Sequence, residues 1–98
     1  MKKKRIVITG LGIVSPIGIG KNEFWKNLFA GKSGIKPITL FDTSSLKVKL
    51  GGEVSGFDPH AILEEKRLMD LDRATLLLLS AAKLCLDDAG LQVNEKNT

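Results

Sequence analysis

At 98 residues, with 43% hydrophobic residues and a formal net charge of +4, the chain has the composition of one globular domain at most. Its longest apolar run has four residues, which excludes a membrane-spanning helix of about 20. One cysteine and one histidine exclude an intramolecular disulfide and the usual four-ligand zinc site. We therefore expect a cytoplasmic protein that holds no metal, binds no membrane and, lacking tyrosine and any reader motif, binds no nucleic acid.

The chain begins with a basic tail, residues 1–5, and a predicted strand over residues 6–10. The apolar run Ile-Val-Ile-Thr breaks into a Gly-x-Gly turn, which is typical of a buried strand in an α/β protein. A first helix is predicted over residues 21–30, with Gly20 or Asn22 as its cap and Gly31 at its end. One apolar face of this helix carries Phe24, Trp25, Leu28 and Phe29.

The middle of the chain is predicted to hold a loop, a strand and a short helix. The loop over residues 31–45 is apolar enough that we expect it to lie against a core. Alternating leucine or valine and lysine predicts a half-exposed strand over residues 46–54. Asp58 and Pro59 then predict the start of a short helix.

The longest predicted helix covers residues 72–89 and ends at Gly90, with Asp70 or Asp72 as its cap. Its polar positions form a thin stripe of Arg73, Ser80, Lys83 and Asp87. A helix that is apolar almost all round belongs inside a larger protein. We therefore expect the 98 residues to be part of a longer chain.

The glycine-rich turn at Gly10 and Gly12 suggests a Rossmann-like nucleotide site, since helix N-termini after such turns bind phosphates. The third glycine of that fingerprint is replaced by Ser15, Pro16 follows, and the helix begins only near Lys21. A structural turn is the preferred interpretation, which leaves the chain without a predicted cofactor.

Three further candidates for catalysis are weak. Cys85 lies near a helix C-terminus, where the helix dipole disfavours a thiolate, so we predict a core residue. His60 has no nucleophile or acid partner of a matching catalytic pattern nearby, and we predict a surface residue near a helix start. Asp87 and Asp88 project 100° apart on the helix and are predicted to be solvated.

Six segments resemble the N-terminal region of the β-ketoacyl-acyl carrier protein synthases, the condensing enzymes of fatty acid synthesis, and are closest to synthase II. The segments follow one another in unbroken order and cover essentially the whole chain. They are VITGLGIVSPIG, FWKNLFAGKSGI, Phe41-Asp42, GGEVSGFDP, KRLMD and AAKLCLDDAGL. The resemblance implies an α/β chain, residues 1–98 forming the N-terminal portion of a thiolase-like α/β/α/β/α fold that works as a homodimer.

The implied chemistry is a decarboxylative Claisen condensation between malonyl-acyl carrier protein and an acyl group held on a cysteine, assisted by two histidines. None of these catalytic residues matches a position here, so the chain alone is expected to be inactive. The resemblance also implies that Lys66 and Arg67, with Arg73 nearby, dock the acidic acyl carrier protein, although Leu68 stands where a basic residue is common. A non-catalytic, carrier-protein-binding paralogue and a Rossmann-like nucleotide binder remain as alternatives.

Overall fold

The computed structural model describes residues 2–64 and 68–96, except for the side chain of Met69. The described residues form two α-helices and two short antiparallel ribbons. No helix among them is both long and apolar enough to cross a membrane.

The first ribbon directly follows the glycine-rich turn. Strands β1 (Val14–Ser15) and β2 (Gly18–Ile19) pair antiparallel around a two-residue connection. The Ser15 hydroxyl donates to the Gly18 carbonyl at 3.0 Å and accepts from the Ile17 amide at 3.3 Å. Ser15, which replaces the third glycine of a nucleotide fingerprint, therefore stabilises a hairpin.

Helix α1 (Lys21–Phe29) follows at once, as the sequence predicts. Its N-cap is Gly20 at φ +88°, a backbone conformation that favours glycine. Gly31, at φ +70°, ends the helix by donating to the Leu28 carbonyl at 3.1 Å. The predicted apolar face is left largely open, because Trp25 is 48% and Phe29 83% exposed.

The second ribbon pairs β3 (Lys36–Pro37) with β4 (Leu50–Gly51) in antiparallel register. Two 3₁₀ turns follow, Pro59–Ala61 and Leu68–Asp70. Asp58 caps the first of these turns by accepting from the His60 amide at 3.0 Å. The predicted helix start is therefore confirmed, although the turn does not continue into an α-helix.

Helix α2 (Arg73–Ala89) is the longest element; it begins one residue after the predicted start and ends at the predicted residue. The Asp72 carboxylate caps it by accepting from the Thr75 amide at 2.9 Å, and Gly90 ends it at φ +66°. The predicted polar stripe is wrong at one position: Ser80 is completely buried, while Leu78 is 69% exposed. Ser80 faces the chain's own packing, and the leucine lies on a side of the helix that the described residues leave uncovered.

Very little of the chain is buried. Leu68 and Ser80 are the only buried side chains that define an interior among the described residues. The radius of gyration is 17.1 Å, against about 13 Å for a compact domain of 100 residues. The accessible surface is 8371 Å², whereas a compact monomer of 10.6 kDa exposes about 5,500 Å².

Three predictions fail for the same reason. Residues 6–9 form no paired strand, and Ile6 is 94% exposed. The strand predicted over residues 46–54 is reduced to β4, and the apolar loop over residues 31–45 exposes most of its large side chains. A strand needs a hydrogen-bonding neighbour and an apolar loop needs a core. Among the described residues, 6–9 have no such neighbour, residues 46–54 have one only where β3 runs beside them, and little core covers the loop.

Candidate functional site

Arg73, the one predicted docking residue that the structure describes, lies in the first turn of α2 and is exposed. Its Nη2 donates to the Val54 carbonyl at 2.9 Å, and its guanidinium lies 5.6 Å from the centre of the Phe57 ring. These contacts fix the guanidinium against the segment that precedes the 3₁₀ turns. The charge at the start of α2 is thus held in one place while it stays accessible to solvent.

Glu53 lies on the same surface, and its carboxylate accepts three hydrogen bonds. Its carboxylate accepts from the Thr39 amide at 2.8 Å, the Thr39 hydroxyl at 2.7 Å and the Leu40 amide at 3.0 Å. The hydrogen bond from the Leu40 amide, followed by that from the Thr39 hydroxyl, lowers the pKa of Glu53, and the charge of Arg73 adds to this effect. Glu53 therefore joins the residues after β3 to those after β4 as an ionised carboxylate.

A surface groove of about 370 Å³ lies between these groups. Its walls are formed by Thr39, Leu40, Glu53, Val54, Ser55, Gly56, Phe57 and Arg73. One cationic group, one carboxylate and two hydroxyl-bearing residues make it polar, which suits contact with another polar surface better than an apolar ligand.

Lys66 and Arg67, the other two predicted docking residues, lie outside the described residues. They precede the 3₁₀ turn Leu68–Asp70, which leads into α2. The order of the chain therefore brings both residues within seven positions of Arg73. Their docking role stays a prediction.

The glycine-rich turn packs on α2 and forms no open cradle for a phosphate. A Cβ atom on Gly10 would lie 2.6 Å from the Cys85 carbonyl oxygen and 2.7 Å from the Ala89 amide nitrogen. A Cβ atom on Gly12 would overlap the backbone of Ala81 and Cys85. Both glycines are needed for close approach of the turn to the helix, so the nucleotide-binding interpretation has no support here.

Asp88 is more than a solvated carboxylate, which corrects the prediction from the sequence. It accepts from the Leu11 amide at 2.9 Å and forms an ion pair with Lys21 at the start of α1. Asp87 instead pairs with Lys83 one turn earlier, with 2.8 Å between nitrogen and oxygen. Asp88 therefore joins the glycine-rich turn, the start of α1 and the end of α2.

We expect the stability contributed by Asp88 to disappear in acid. The hydrogen bond from Lys21, followed by that from the Leu11 amide, lowers the pKa of Asp88. A lowered pKa in the folded state stabilises the fold above the unfolded-state value of about 3.9, and this contribution is lost as pH falls through the folded-state pKa. Asp88→Asn should therefore lower the denaturant midpoint at neutral pH and have little effect near pH 2.

The matched control for this measurement is Asp87→Asn, which removes the same charge from a neighbouring position whose ion pair stays within α2. Because an exposed pair four residues apart contributes little, this variant should remain close to the unmodified protein. Equal losses in the two variants at neutral pH would show that Asp88 has no special role.

Cys85 and His60 show no catalytic environment. The Cys85 thiol is half-buried and donates to the Gly10 carbonyl at 3.4 Å, so it packs beneath the glycine-rich turn. His60 is exposed in its 3₁₀ turn. No group of three histidine, cysteine or acidic side chains that could hold a metal ion occurs within residues 2–64 and 68–96.

Known proteins that match this chain over nearly its whole length are beta-ketoacyl synthases. Residues 3–98 match the family described as "Beta-ketoacyl synthase, N-terminal domain". A 3-oxoacyl-[acyl-carrier-protein] synthase 2 of Coxiella burnetii is 44% identical over 97 residues, which is 99% of this chain and 23% of that protein. The tetracenomycin polyketide synthase ketoacyl synthase beta subunit of Streptomyces glaucescens is 46% identical over 92 residues, 94% of this chain and 22% of that protein.

A solved structure shows the same backbone arrangement. The ishigamide ketosynthase/chain length factor superposes with a TM-score of 0.81 at 41% identity, over 88% of this chain and 21% of that chain. The fold class is therefore α/β, as the N-terminal portion of a thiolase-like fold. Within that class, the chain belongs to the beta-ketoacyl synthase family. It spans about a quarter of the length of the curated relatives it matches.

Proposed function

We propose that this chain acts within a 3-oxoacyl-[acyl-carrier-protein] synthase, an acyltransferase that elongates fatty acyl chains. The observation that carries this proposal is 44% identity over 97 residues to a relative with that name. Relatives from Synechocystis and Vibrio cholerae with the same name are 40% and 39% identical over equal lengths.

The proposed reaction has two parts, as the family resemblance implies. A cysteine thiolate first takes the acyl group from the thioester of acyl-loaded carrier protein, whose thiol leaves, and this covalent step divides one difficult reaction into two easier ones. Malonyl-acyl carrier protein then loses carbon dioxide, and the resulting carbanion forms a carbon–carbon bond to the acyl carbon while the cysteine thiolate leaves. Neutral histidines stabilise the enolate oxygen by hydrogen bonding.

The described residues contribute scaffold and docking surface to this reaction. Cys85 packs under the glycine-rich turn and His60 is exposed, so neither has the environment of the required nucleophile or histidines. We therefore propose that the 98 residues alone are inactive and that the active protein is a homodimer. The predicted cytoplasmic location belongs to the same proposal.

We also propose that Lys66, Arg67 and Arg73 dock the acyl carrier protein. The position of Arg73 supports this, because its guanidinium is oriented by Val54 and Phe57 yet remains exposed. Docking charges of this kind mainly accelerate the encounter of two proteins and weaken with added salt.

The test is the double variant Lys66→Glu, Arg67→Glu, made in the protein that the complete gene encodes. We expect the KM for acyl carrier protein substrates to rise about tenfold at low ionic strength, because two attractive charges become repulsive, with little change in kcat. The difference should shrink as salt is added.

The matched control is Lys2→Glu with Lys3→Glu, which makes the same change in net charge within the basic tail. An equal KM in the docking and control variants would refute the docking assignment. Absence of any condensation activity in the unmodified protein would refute the proposed function itself.

A further inference from the structure

We draw no further inference here: the strongest candidate, the apolar pocket of about 210 Å³ between the glycine-rich turn and α1, whose charged lining residue Lys21 is already paired with Asp88, carries none because nothing in the structure shows what covers it.

Discussion

Gly12→Ala is expected to lower the free energy of unfolding by about 2–3 kcal/mol, in the upper range for an overpacked site. The added methyl group would overlap the Ala81 carbonyl oxygen and the Cys85 amide nitrogen, closer than any Cβ atom approaches in real proteins. Both obstructing atoms belong to the backbone of α2, so the clash is relieved only by moving the turn away from the helix. Because Gly12 does not have a positive φ, the expected loss arises from packing alone.

The measurement is denaturant unfolding of the protein that the complete gene encodes, followed by far-UV circular dichroism. Gly52→Ala is the matched control, since Gly52 is exposed and the nearest atom to its added methyl group is the Pro16 Cγ at 3.1 Å. That side-chain contact can shift by a few tenths of an ångström. A similar midpoint for the two variants would contradict the close packing of Gly12 on α2.

The helices could be predicted from the sequence because their signals are local. An aspartate cap, an apolar periodicity and a terminal glycine all lie within the segment they define, and Asp72 and Gly90 act as predicted. Local signals could not show whether the strand predicted over residues 6–10 forms, because a strand exists only beside a second strand to which it hydrogen-bonds. The apolar β-branched signal there is real, yet the described residues supply no pairing partner.

In the candidate site too, local features could be predicted from the sequence and long-range contacts could not. That Arg73 carries an exposed charge followed from the sequence, whereas its contacts with Val54 and Phe57 depend on a fold that returns the chain over about 20 residues. Glu53 and Asp88 gave no signal, since a carboxylate that accepts backbone amides from a distant segment has no periodicity of its own. Ser80 was misplaced because a helical wheel ranks residues by polarity and contains no information on which face is covered.

The family assignment explains why so much apolar surface is open. The chain matches relatives over about a quarter of their length, and its accessible surface exceeds that of a compact monomer by about half. Ile6 and Ile8 project from the chain at 94% and 83% exposure. Such a surface is consistent with a unit that packs against further protein, as the long apolar helix α2 predicts from the sequence alone.

The 98-residue chain, expressed alone, is accordingly expected to self-associate or aggregate at micromolar concentration. Leu78 and Leu79 are 69% and 40% exposed on α2, and their burial between copies stabilises an assembly by about 25 cal/mol per Å². Leu78→Glu with Leu79→Glu should shift the species seen by sedimentation velocity toward monomer. Leu91→Glu, at a residue 48% exposed beyond the end of α2, should leave most of the association in place. A monodisperse monomer that melts cooperatively without any substitution would contradict the prediction, because it would mean that the described residues bury a sufficient core by themselves.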